Sequence, residues 1–231
     1  MLNQILQSLG LAPQPPRLVS SPVNRVIHPK PASRPRTGTD LIAVVGFNGT
    51  AFPISLPAEP WGDKLTARVQ TLPTRLGGGG TNISSALRLA LEMSRKCPRG
   101  ARRRIWLLSD GEHNVATHDT LPAAQAIANA FINLNVIAFG EASGSALLKS
   151  LAAATHHGQF VSVSNLHEMA AALKRGGQPA KTRKEHRQEV AILCVDCSPS
   201  MNTRDFGGQT RIEAVRDAIK SLLTYKASVW S

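Results

Sequence analysis

Aromatic residues are scarce in this chain, and so are acids and cysteines. Phe, Trp and Tyr make up 4% of its 231 residues, so a core must be built from Val, Ile, Leu and Ala. Three cysteines, Cys97, Cys194 and Cys197, are too few and too odd in number for a disulfide framework. No apolar run approaches the roughly 18–20 residues that span a bilayer. The opening stretch MLNQILQSLGLAPQPP has neither the basic start nor the apolar length of a secretory signal. These absences read as a soluble, cytoplasmic protein with no membrane partner. Fifteen acids stand against 27 Lys and Arg, a net charge of +12, which leaves nucleic acid open as a partner. The charge gathers in RKCPRGARRR (95–104) and KRGGQPAKTRKEHR (174–187). Neither run interleaves aromatics on which bases would stack, so a specific single-strand reader is not expected.

What is present is an alternation. Residues 1–37 hold many of the prolines and read as a flexible Pro/Arg-rich arm. From residue 38 onward apolar strands alternate with amphipathic helices. LIAVVGF (41–47), RIWLLSD (104–110), VIAFG (136–140), QFVSVS (159–164) and EVAILCVD (189–196) are strand-like runs, and AFPISL (51–56) is an edge strand because of Pro53. Helical stripes run through 63–72, the segment after Thr81, 121–134 (burying Ile127, Phe131 and Leu134), 145–155, 165–174 and 210–225. Thr210 with Glu213 has the spacing of a capping box. Strands apolar throughout imply coverage on both faces. The fold class is α/β, doubly wound, with a mainly parallel central sheet. A basic, polar connector, 175–188, precedes the last strand and helix in 189–231.

In open α/β sheets ligands bind beyond the carboxyl ends of the strands. Three strand ends or helix starts carry suitable groups: Asp196, Ser198 and Ser200 after the last strand, Thr81 after Gly77–Gly80, and Asp110 in Ser109-Asp110-Gly111. Each alone could be a helix cap or a turn residue. Together, two carboxylates and three hydroxyls are hard oxygen donors that suit Mg²⁺ or Mn²⁺. Cys194 and Cys197 form a CxxC, but residues three apart on a strand face opposite sides, so a redox or zinc pair is not expected.

These motifs resemble the von Willebrand factor A-type domain with its metal-ion-dependent adhesion site. Asp196, Ser198 and Ser200 match the family's DxSxS, Thr81 in GGTNISSAL its threonine loop, and Asp110 in LLSDGEHN its late aspartate. RIEAVRDAIKSLL and HHGQFVSVSNLHEMAAAL resemble the flanking elements. The order departs from the family, in which DxSxS comes first. Moving 189–228 ahead of 40–174 restores a complete domain, which implies a circularly permuted domain over 38–231, with 38–174 as its body. A strand-swapped dimer and a fragment of two tandem domains are the other accounts of that order. The resemblance implies a Rossmann-like fold and a non-enzymatic, metal-dependent protein-interaction module, a scaffold or adaptor that takes a partner's Asp or Glu carboxylate on Mg²⁺. The rival readings are a Mg²⁺-dependent phosphoester hydrolase, with His113 as the nearest base, and a basic nucleic-acid-binding protein.

Overall fold

The computed structural model describes residues 40–55, 59–60, 62–75, 77–111, 114–140, 145–176 and 188–230. The proposed arm 1–37, His113 and nearly all of the connector 175–188 lie outside the described residues. The strands are β1 (Leu41–Phe47), β2 (Ala51–Pro53), β3 (Glu59–Pro60), β4 (Arg102–Ser109), β5 (Asn133–Phe139), β6 (Phe160–Val163) and β7 (Glu189–Asp196). The helices are α1 (Asp63–Gln70), α2 (Ile83–Arg95), α3 (Thr120–Asn129), α4 (Ser145–Ala153), α5 (Leu166–Gly176) and α6 (Arg211–Trp230).

All seven strands form one sheet in the order β2-β1-β7-β4-β5-β6, with β3 also on β1. The late strand β7 lies at its centre, parallel to β1 on one side and to β4 on the other. Its whole length is buried, which is why eight residues read without polar alternation up to Asp196. Among the described residues only β2 and β3 run antiparallel, both against β1, and Pro53 falls in the short edge strand where a missing N–H costs least.

Alternate residues of each strand feed two separate cores. On one face, Ile42, Val44, Trp106, Leu108, Leu193 and Val195 pack under α1, α5 and α6. On the other, Ala43, Val45, Phe47, Ile105, Leu107 and Ile192 pack under α2, α3 and α4. Three helices on each face make the sheet doubly wound. Helix α6 buries Ile212, Val215, Ile219 and Leu222. At ~1.5–3 kcal/mol for each such side chain, packing outweighs helix propensity in holding it. Its capping box is reciprocal: Thr210 N–H donates to Glu213 Oε2 (2.9 Å), and Glu213 N–H donates to Thr210 Oγ1 (3.3 Å).

The helix expected over 121–134 is shorter. It ends at Asn129, Leu134 belongs to β5, and Phe131 is 96% exposed with φ 56°. The reason is register: β5 pairs with β4 from Asn133 onward, so the chain must turn before Ile132. A left-handed residue makes that turn and throws the Phe131 ring outward.

At the amino ends of the central strands lies a buried ionic network. Lys226 Nζ, near the end of α6, donates to Asp40 Oδ2 (2.7 Å) and Glu189 Oε2 (2.9 Å). Glu189 N–H donates to Asp40 Oδ1 (2.8 Å), and Arg104 Nε lies 2.9 Å from Glu189 Oε1. That last pair is an ion contact whose angle does not make a hydrogen bond. All four residues are buried, and they join the starts of β1 and β7 to β4 and α6.

Candidate functional site

At the opposite end of the sheet, β7 delivers Asp196 into a fully buried position. Its Oδ2 accepts from Ser109 Oγ (2.7 Å), the last residue of β4, and its Oδ1 accepts from Ser198 N–H (2.9 Å). Ser109 Oγ in turn accepts from Gly111 N–H (3.1 Å). The Ser198 and Ser200 hydroxyls lie 2.9 Å apart within hydrogen-bond reach. Burial pushes the Asp196 carboxyl up to about 6; the Ser109 and Ser198 hydrogen bonds oppose that rise, and the charge of nearby Asp110 adds to it.

Capping accounts for less of this group than its residue types alone suggest. Ser198 precedes a short 3₁₀ turn (Pro199–Asn202) without making a side-chain cap. The N-cap of α2 is Asn82 and not Thr81: Ser85 N–H donates to Asn82 Oδ1 (3.0 Å). Asp110 is buried, and its Oδ2 accepts from Arg211 Nη1 (2.9 Å).

Thr81 is brought in by its loop. Gly77 N–H donates to the Cys197 carbonyl (3.4 Å), which ties the glycine run to the end of β7. Thr81 N–H donates to Asn114 Oδ1 (2.8 Å), and Asn114 N–H donates back to the Thr81 carbonyl (3.3 Å). Gly80 is required here: its φ is +81°, and a Cβ would stand 2.5 Å from Val115 Cγ2. The structure therefore joins Asp196, Ser198 and Ser200 directly, and sets Asp110 and the Thr81 loop on the same carboxyl edge.

Arg211, the first residue of α6, was not apparent from the sequence. Its guanidinium bridges Asp110 and Asp205, the latter through contacts of 2.6–3.1 Å. Asp205 hydrogen bonding is the main force raising its pKa above the ordinary arginine value, against the opposing effect of burial. Only its partnership with Asp110, 101 residues away in the chain, marks it. Ser109 is the second such residue, a hydroxyl that orients Asp196 from the neighbouring strand.

The donors fit a hard dication. Two buried acids within electrostatic reach of one another, one of them held well above the ordinary carboxylate range, form a site that a positive charge relieves. The hydroxyls add neutral oxygens. Among the described residues no cluster of three or more His, Cys, Asp or Glu side chains could hold a metal, so any ion here depends on the Ser and Thr oxygens. The CxxC is not such a site. Cys194 and Cys197 fall in opposite cores; burial pushes both thiols up, Cys197 to about 12. Inert thiols are the result.

A doubly wound α/β domain with acids and hydroxyls gathered past its central strands is the class that fold and geometry define. The chain belongs to the von Willebrand factor type A domain family, whose model matches residues 26–175. Domains of this family typically mediate protein–protein interaction. Among solved structures, the conserved hypothetical protein BatB from Bacteroides thetaiotaomicron is similar at 22% identity and a TM-score of 0.47, over 60% of this chain and 79% of that one. An uncharacterized membrane spanning protein from Vibrio fischeri is similar at 24% identity and a TM-score of 0.30, over 59% and 74%. No curated protein matches the chain. Among the described residues no helix is long and apolar enough to cross a membrane.

Proposed function

We propose that the chain is a metal-dependent protein-interaction module of the cell interior, a scaffold or adaptor that captures an acidic side chain of its partner. The observation that carries this reading is the hydrogen-bonded group Ser109–Asp196–Ser198–Ser200 beside Asp110 at the carboxyl edge of β7 and β4. Asp196, Ser198, Ser200, Thr81 and Asp110 would hold Mg²⁺ or Mn²⁺. The bound ion supplies an electrophilic centre that accepts an oxygen of a partner's Asp or Glu. The protein's part is positioning. Ser109 fixes the Asp196 carboxylate, and Arg211 draws off part of the Asp110 charge, so the acids do not fully compensate a dication and an anionic partner remains favoured.

We read the late β7 as a circular permutation. The family match ends before β7 begins. The residue before β1, Asp40, touches Lys226 near the end of α6, so the break in the ring falls where an unpermuted chain would connect these two elements. A monomer near the 24.7 kDa chain mass is expected in sedimentation; twice that mass would favour exchange of β7 and α6 between two copies.

The functional test is capture of an acidic partner by the full chain. Thr81→Ala and Ser200→Ala are expected to reduce recovery of the partner about tenfold or more, with the circular dichroism spectrum unchanged. EDTA should mimic both, and added Mg²⁺ should restore the wild type alone. Recovery indifferent to all three treatments would eliminate metal-dependent capture. Mg²⁺-dependent phosphoester turnover that falls with Asp110→Asn would make the protein an enzyme instead.

A further inference from the structure

We propose a second binding site, at the amino ends of β4 and β5, for a nucleotide or the nucleotides of a single strand, with a base on Phe131 and phosphates on Arg102 and Arg103. A cleft of about 420 Å³ is lined there by Arg102, Arg103, Phe131, Asn133 and His157. The eight residues of β4 separate it from Asp110 by roughly 26 Å at ~3.3 Å per residue. It is thus distinct from the acidic edge and does not depend on the metal reading.

Three observations point to this ligand chemistry. The first is charge. Arg104, next on the strand, is taken up by Glu189, while among the described residues no carboxylate pairs with Arg102 or Arg103. His157 adds an imidazole, its ring centroid 4.3 Å from that of His156 at a tilted 52°, and the chain carries a net +12. Guanidinium groups without acid partners at a cleft are phosphate-binding groups.

The second is the ring. A single exposed apolar residue is ordinary. Phe131, however, is 96% exposed on a left-handed backbone, φ 56°, at the lip of that same cleft. A non-glycine residue pays roughly 1–2 kcal/mol for that conformation. The fold therefore holds a flat aromatic face in solvent beside two cations. The basic run 95–104 lacks interleaved aromatics along the sequence, and the turn between α3 and β5 supplies one in space. The third is Asn133, whose amide can both donate to and accept from a base edge. Stacking with phosphate neutralisation is how single strands are held without strict sequence preference.

The test uses the full chain and fluorescein-labelled oligo-dT of twelve nucleotides, read by anisotropy, with unlabelled TMP, ADP and heparin as competitors. Phe131→Asn keeps the left-handed turn and removes the ring; it is expected to weaken oligo-dT binding about 5- to 100-fold. Arg102→Gln with Arg103→Gln should lower the slope of log affinity against log salt by about 1.4. EDTA should change neither. Competition by TMP or ADP would identify free nucleotides as the ligand, and displacement only by oligonucleotide would identify strands; both support the site. An affinity unaffected by Phe131→Asn, or full displacement by base-free heparin with no loss in that variant, would overturn it. So would failure of every nucleotide probe to bind.

Discussion

Truncation of Lys226 to methionine is expected to destabilise the domain by about 3–5 kcal/mol, the cost of removing one partner from a buried ion pair. That is a large share of the roughly 5–15 kcal/mol that holds a typical domain together. The Lys226 side chain is 5% exposed, against 1% for that of Asp40 and 9% for that of Glu189. Burial pulls the Lys226 pKa down, but the charge of Glu189 and the hydrogen bonds to Asp40 and Glu189 outweigh it, and the net shift is upward. The sign follows: a raised lysine stabilises fully below its unfolded pKa, and the benefit fades only as pH climbs through the folded value. Urea denaturation at pH 7 should therefore show nearly the whole loss in Lys226→Met, because the buried Asp40 and Glu189 side chains lose the ammonium they share. A loss under 1 kcal/mol would mean that the network is solvated and does not fasten α6 to the starts of β1 and β7. The effect is also topological. The Lys226–Asp40 contact joins residues 186 apart in sequence and fastens the end of α6 to the start of β1.

Asp196→Asn is expected to act in the opposite direction on stability while removing the site's chemistry. In EDTA the buried Asp196 carboxyl titrates near 6, above its ordinary value of 3.8. Between those values the folded protein binds more protons than the unfolded chain, so stability falls as pH rises from about 4 to 6 and levels off above. A shift of about two units is worth at most ~3 kcal/mol. EDTA-treated Asp196→Asn should then be more stable than wild type at pH 7 by on the order of 1–3 kcal/mol, and its stability should lose that acid-side slope. Mg²⁺ should raise the melting temperature of wild type and leave the variant unmoved, since only a protein that binds the ion is stabilised by it. A variant less stable than wild type in EDTA would mean that the carboxylate is satisfied in the fold and is no stored cost. Functional sites commonly carry such a cost.

The strands were legible because their environment is uniform. LIAVVGF and EVAILCVD are apolar at nearly every position since helices cover both faces, and β7 could be assigned to the sheet despite its place near the end of the chain. Phe131 was misread because its spacing continues the stripe through Ile127, whereas pairing of β5 with β4 decides where α3 stops, and pairing is non-local. The acids and hydroxyls stood out because they follow strand ends. Arg211 did not: a basic residue opening a helix is unremarkable until Asp110 is brought against it by β4. Nothing in the sequence marks Asp40, Glu189 and Lys226 as partners, since each meets the others only when β1, β7 and α6 come together. The aromatic at the basic cleft was hidden for the same reason.

The central claim is that the edge formed by Asp196, Ser198, Ser200, Thr81 and Asp110 binds a divalent cation, and calorimetric titration of Mg²⁺ and Mn²⁺ into the EDTA-stripped full chain tests it most directly. The account predicts saturable uptake of a single ion in wild type and none in Asp196→Asn, whose fold persists. Wild type that takes up no ion at millimolar concentration, or an Asp196→Asn variant that binds as tightly as wild type, would contradict it.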